Sequence, residues 1–336
     1  MSRTQQRHYW PSIVVGSLAL AAPLSACGSS FDPGSTVERA RLVGARLSVA
    51  ADLRRAAPLP GEEVTVQPWL VQPEAQSLVR ATYIVCLAAD IRRGVSMCEG
   101  GPLALVPPSP PSVELPPVTF TVPAGTPRTA QLILVMVTCD QGATPALEAT
   151  TMLVSCDDPT ARAELATLNL PLAASVETAN RHPEIAEETY KLEVEGDLVD
   201  WPASTAPLTN GCVTAGMPVV RVPAGAAPPT DREPYRIDLT FTTTEDDRDS
   251  YTTATGTTAR EAIQFSHFVT AGRLSRSFSA VEANASAETP ITLRWAPPSV
   301  ATIPADGMPV HFTWIVRDLR GGFARADREL CVAPAL

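Results

Sequence analysis

The sequence predicts an all-β protein built as two antiparallel sandwiches joined by a β-rich connector. Three observations carry this. Short β-branched runs recur along the chain, separated by Pro/Gly turns. Proline is abundant, 33 of 336 residues, and charged residues are 18%, which disfavours helical bundles and coiled coils. Hydrophobic residues make up 45%, enough for packed cores, and the length suits about two domains at roughly 100–200 residues each.

The first sandwich is expected over residues 40–158. Apolar residues alternate from Leu42 to Val49. The turn Pro58–Glu63 leads into Val64–Val71, and Ala81–Leu87 follows. Val113–Val122 and Leu132–Cys139 are the next runs, and Thr150–Cys156 closes the unit. Leu132–Val137 is apolar on both faces, as a central strand should be. The segment Pro107–Pro111 interrupts the pattern and reads as a semi-rigid surface loop.

Residues 159–230 form the expected connector. Ala161–Leu165 has the length of a short helix, while Leu192–Gly196 and Val219–Val222 read as strands. Asn180–Ile185 reads as a turn, and 223–230 as a loop. The second sandwich is expected over 231–336. Ile237–Thr242 alternates with period two, followed by Ala262–Phe268 and Ile291–Trp295. The clearest hairpin is last: Phe312, Trp314 and Val316 share a face, and Arg317–Gly322 makes the turn.

The N-terminus reads as an address. Residues 1–12 carry Arg3, Arg7 and His8 without an acid, and residues 13–24 are apolar and small. This is the pattern of a secretory signal, and twelve residues are too short to span a bilayer. The stretch ends Leu24-Ser25-Ala26-Cys27, which resembles the lipobox of bacterial lipoproteins. The resemblance implies removal of residues 1–26, diacylglycerol on Cys27 and a lipidated tether over 27–39. An ordinary signal peptide with an incidental cysteine is the competing reading. Two or three acyl chains hold a protein firmly to a membrane, since each buried methylene contributes about 0.8 kcal/mol. Gly28 in place of aspartate after the cysteine implies the outer membrane of a Gram-negative bacterium.

Setting Cys27 aside, six cysteines remain: Cys86, Cys98, Cys139, Cys156, Cys212 and Cys331. An even number in an exported chain favours disulfides, with connectivity open. Proximity in sequence favours Cys86–Cys98, Cys139–Cys156 and Cys212–Cys331. Buried free thiols and a metal site are the alternatives, though no Cys-x-x-Cys or Cys/His cluster is present.

Several segments resemble a family of bacterial lipoproteins, common in myxobacteria, that carry immunoglobulin-like domains. Leu42–Arg46, Pro60-Gly61-Glu62 and the strand ending at Cys86 match its first domain. Asn180–Ile185 resembles its Asn-x-x-Pro turn between domains. Phe268–Gly272, Trp295-Ala296-Pro297 and Trp314–Gly322 match its last domain. The chain departs from the pattern at Tyr83 and Val85, where the family often has tryptophan, and at Phe323. The resemblance implies immunoglobulin-like sandwiches and an envelope location, and no catalytic residues.

Chemistry-bearing motifs are few. The net charge of −10 argues against nucleic acid as a partner. Lys191 is the sole lysine. His182, His267 and His311 form no metal-spaced pair and read as satisfied or exposed strand and turn residues. No nucleophile elbow, Walker loop or dinucleotide fingerprint is present. The acidic run Glu245, Asp246, Asp247 and Asp249, broken by Arg248, is a weak Ca²⁺ candidate, with a solvated loop tip as the blander reading. Asp197 and Asp200 near Trp201 are unspecific. Trp69, Trp201, Trp295 and Trp314 suit a carbohydrate-stacking face or, more simply, sandwich core. Arg317 and Arg320 suit an anion site or a hairpin tip in which Asp318 caps the turn.

The expectation is a non-enzymatic, lipid-anchored envelope protein without a cofactor, a binding or structural module for an envelope protein or polysaccharide. A Ca²⁺-dependent adhesion or assembly component and an extracytoplasmic hydrolase are the alternatives. The hydrolase requires a concave polar pocket at His267 or His311.

Overall fold

The alternating runs form strands that pair almost throughout as antiparallel ladders, and the fold is all-β. The structure is a computed structural model. It describes residues 34–73, 78–89, 98–148, 153–184, 190–194, 197–201, 203, 211–214, 218–223, 237–243, 248–253, 255–283, 285–286 and 289–335. Cys27 and the leader lie outside the described residues, as do Glu245, Asp246 and Asp247.

The first sandwich has a three-stranded sheet, β1 (Arg41–Val49), β2 (Glu63–Val71) and β5 (Val118–Thr121), in the order β1-β2-β5. Facing it are β4 (Cys98–Val106), β3 (Arg80–Ala88), β6 (Gln131–Cys139) and β9 (Ala163–Pro171), in that order. Alternate residues of both sheets, such as Leu47, Val66, Phe120, Tyr83 and Leu134, meet in one core. Strand β6 is buried on both faces: Ile133 and Val135 pack on its far side against Cys86. Its central position follows from its continuous apolar run. The hairpin β7 (Pro145–Glu148) and β8 (Leu153–Cys156) lies beside this sheet.

Two expectations change here. Residues 161–165 are not helical: β9 runs from Ala163 and pairs with β6 over its whole length. Leu165, Leu168 and Leu170 pack against apolar clusters on the two faces of the sheet, a tertiary gain that overrides local propensity. The first sandwich therefore continues past residue 158 to Pro171. The proline-rich segment is also pinned down. Ser109 is buried, its N–H donating to the Ala81 carbonyl, and Ser112 pairs with Val79.

The expected connector strands join the second sandwich. One sheet runs β11 (Asp197–Asp200), β10 (Lys191–Val194), β13 (Ile237–Thr243), β19 (Thr289–Ala296) and β17 (Arg273–Leu274). The other runs β12 (Val219–Val222), β21 (Phe323–Pro334), β20 (Met308–Arg317), β16 (Ile263–Val269) and β18 (Phe278–Val281). Strand β12 pairs in parallel with β21, the one parallel ladder among the named strands described. A small hairpin, β14 (Ser250–Thr252) and β15 (Thr258–Arg260), completes the strand set.

An aromatic cluster fills this second core. Trp201 meets Phe312 edge-on at 5.0 Å and Trp314 at 5.5 Å, and Trp295 meets Phe312 at 5.2 Å. Each such pair contributes about 0.5–1.5 kcal/mol beyond area burial. The Trp201 and Trp295 indole N–H groups donate to the carbonyls of Glu329 and Ala271. These three tryptophans are thus core residues and form no exposed stacking face. Gly272 (φ +78°) lies against Trp295, where any Cβ would meet the indole.

Three disulfides are formed: Cys86–Cys98, Cys139–Cys156 and Cys212–Cys331. The last ties a 3₁₀ turn, Cys212–Thr214, to β21. The chain from Pro33 to Leu336 forms one compact unit.

Candidate functional site

The two sandwiches meet along a seam that is apolar at its centre and polar at both ends. Val43 and Val71 of the first pack against Ile315 and Phe323 of the second, with Val37, Trp69 and Phe268 around them. Chain entering at Ser35 and Val37 is tied to Val269 by two backbone hydrogen bonds.

At one end lies the Asn180–His182 segment. Asn180 Nδ2 donates to Asp318 Oδ2 at 2.6 Å. The Phe323 N–H donates to His182 Nδ1 at 3.1 Å, and His182 Nε2 lies 2.6 Å from the Leu47 carbonyl. Nδ1 accepts, so the proton sits on Nε2 and the ring is neutral. Burial, helped by Arg46, lowers its pKa to about 4. Asp318 also accepts the N–H groups of Arg320 and Gly322, so it does cap the turn. The base of the turn is buried, with Asp318 1% exposed and held against Asn180, while Leu319 at its tip is 60% exposed. Arg317 donates to the Val43 carbonyl at 2.8 Å, and Arg320 pairs with buried Glu261 at 2.6 Å. Burial, with Asp318 nearby, raises Glu261 to about 8. Both arginines are thus engaged in structure.

At the other end the walls part. A cleft of about 450 Å³ opens between the end of β2 with residues 113–115 and the outer face of the β21-β20-β16 sheet. The period of two explains its floor: on β20 and β21, residues that point away from the core include His311, Thr313, Arg325, Asp327 and Glu329. His311 Nδ1 lies 2.6 Å from Glu329 Oε1. Arg325 grips Asp327 with two bonds, at 2.6 and 3.0 Å, and donates to the Leu70 carbonyl across the cleft. Thr313 donates to Asp327 at 2.6 Å. The opposite wall hangs on two glutamines: Gln67 donates to the Leu115 carbonyl and Gln72 to the Val113 carbonyl, each at 2.8 Å. Gln72 Oε1 is buried without a hydrogen-bond partner. Trp69 and Phe268 supply aromatic lining.

Of the residues singled out in the sequence, His311 and Trp69 reach this cleft. His267 does not. It is fully buried in the second core, 2.9 Å from Ser279 Oγ, and burial lowers its pKa to about 3. Of the acidic run, Asp249 is described and its carbonyl accepts the Glu261 N–H. Arg248 is 2% exposed and donates to the carbonyls of Glu282, Ala285 and Ser286. Among the described residues no cluster of three or more His, Cys, Asp or Glu could hold a metal ion. The residues missed in the sequence are Arg325, Asp327, Glu329 and Gln72. The alternation Arg325, Asp327, Glu329 on the strand Phe323–Pro334, interrupted by Arg328, was the available signal.

No protein-family model matches the chain, and no curated protein does. Among solved structures, red sea bream transglutaminase is similar at 11% identity and a TM-score of 0.23. The match covers 88% of this chain and 32% of that one, so the chain spans about a third of the length of that protein.

Proposed function

We infer that the chain is an exported envelope protein, held to a membrane by acyl groups on Cys27, and that it acts as a non-enzymatic binding module. Its ligand is taken in the cleft between the sandwiches. The observation that carries this is the cleft itself, a concavity of ordinary ligand-site size that combines aromatic lining with convergent polar groups. The three disulfides fit an oxidising compartment. The seam supports the same reading, since buried bonds such as Asn180–Asp318 hold both walls in place without ligand.

The test is a photo-crosslinking residue in place of Glu114, at the cleft rim, in cells of the source organism, with the same residue in place of exposed Leu153 as control. An adduct formed at 114 and absent at 153 is expected. No adduct at 114, or equal adducts at both positions, overturns the reading.

The His311–Glu329 pair favours a second reading, an extracytoplasmic hydrolase in which Glu329 orients the imidazole for proton transfer. Turnover of chromogenic esters or glycosides that is lost in His311→Asn would establish it. Its absence in the unmodified protein leaves the binding module.

A further inference from the structure

We propose that the cleft binds a short neutral oligosaccharide. This rests on the reading of the cleft as a ligand site and names the class of ligand.

Charge makes the first selection. On the cleft floor Arg325 is matched with Asp327 and His311 with Glu329, and Arg328 is buried with its guanidinium on the Trp201 and Asp327 carbonyls, which leaves Glu114 as an exposed carboxylate at the rim. A strongly charged ligand must break one of these pairs or be buried beside a like charge, and leaving a partner unpaired is costly. A neutral ligand keeps both pairs and uses their remaining lone pairs and N–H groups.

Hydrogen-bonding capacity makes the second. The walls offer acceptors and donors side by side: carboxylates, an imidazole, the Thr270 hydroxyl and two amides. Gln72 Oε1 is a buried acceptor that needs a donor. A hydroxyl both donates and accepts, so a polyol ring can meet such a mixed set with one functional group. An apolar ligand would leave the buried Gln72 Oε1 without a donor, at about 1–3 kcal/mol.

Aromatic lining makes the third. Trp69 is half-buried in the cleft beside Phe268. The other described tryptophans are committed to the second core. A sugar ring has apolar C–H faces and polar edges, and it matches an indole flanked by hydrogen-bonding side chains. The floor lies on strands and is fixed by the seam, so the site is built before ligand arrives.

The experiment is a binding titration on the purified full-length protein, read by tryptophan fluorescence and by saturation-transfer NMR. The probes are maltotriose and cellotriose, for glucans, and tri-N-acetylchitotriose, for amino-sugar glycans. Spermidine and glutamate are charged controls. Saturable binding of at least one trisaccharide is expected, weakened about tenfold or more by Trp69→Ala and by Gln72→Leu and kept by Trp69→Phe. A thermal melt of each variant separates lost binding from lost fold. If no trisaccharide saturates, or if Trp69→Ala and Gln72→Leu bind as well as the unmodified protein, the saccharide class is wrong. If spermidine or glutamate binds instead, and Trp69→Ala abolishes it, the saccharide class falls while the cleft stands as a ligand site. If nothing binds, the saccharide class also falls, and crosslinking at position 114 judges the cleft separately.

Discussion

His182 and Phe323 are joined across the seam: the Phe323 N–H donates to His182 Nδ1 at 3.1 Å, bridging 141 residues of sequence. The other ring nitrogen faces the Leu47 carbonyl in the first sandwich. One imidazole therefore clamps both halves. His182→Ala strips partners from two buried backbone groups, and we expect a loss of about 2–4 kcal/mol. Urea unfolding with an unchanged m-value checks it.

The seam also sets a pH dependence. His182 has its pKa lowered from 6.5 to about 4, so between these values the unfolded chain binds the proton and the native one does not. Stability from this group is present above pH 6.5 and is lost as pH falls toward 4. His267 acts in the same sense, down to about 3. Glu261 is opposite: raised from 4.5 to about 8, its contribution is complete below 4.5 and is lost as pH rises through 8. Melting temperatures across this range should show Glu261→Gln flattening the alkaline fall and His182→Ala flattening the acid one.

Gly322 sits where the hairpin turn enters the seam. A Cβ there would overlap the Asp318 carboxylate and lie 2.7 Å from the Arg181 carbonyl. Neither group can withdraw without breaking the bond to Asn180 or shifting the backbone. Gly322→Ala should cost about 3 kcal/mol. Denaturant titration against Gly101→Ala, where a Cβ meets nothing within 4 Å, isolates the effect.

The disulfides should differ in weight. Cys212–Cys331 closes a separation of 119 residues and Cys86–Cys98 one of 12. On loop-closure grounds, replacing the first pair by alanine should cost about 4–5 kcal/mol and the second about 3. Paired calorimetric melts of the two double variants check the ranking.

Much of the fold was legible in the sequence because β patterning is local. Leu132–Val137 announces a central strand by being apolar on both faces, and Phe312, Trp314 and Val316 announce a core face by alternation. Strand β9 was not legible, because its pairing with β6 is decided some thirty residues away in sequence. The cleft was half legible. Trp69 and His311 stood out by residue type, whereas Arg325, Asp327 and Glu329 lie in a charged run that does not by itself mark a site. They face a cleft only because Val43 and Val71 dock on Ile315 and Phe323, a contact between surfaces that no local pattern encodes.

The intact, non-reduced mass of the protein purified from its own membranes tests the proposed envelope role most directly. The expected value is that of residues 27–336 plus acyl groups, less six hydrogens for the three disulfides. An unlipidated mass, or six free thiols, would contradict an anchored, oxidised binding module.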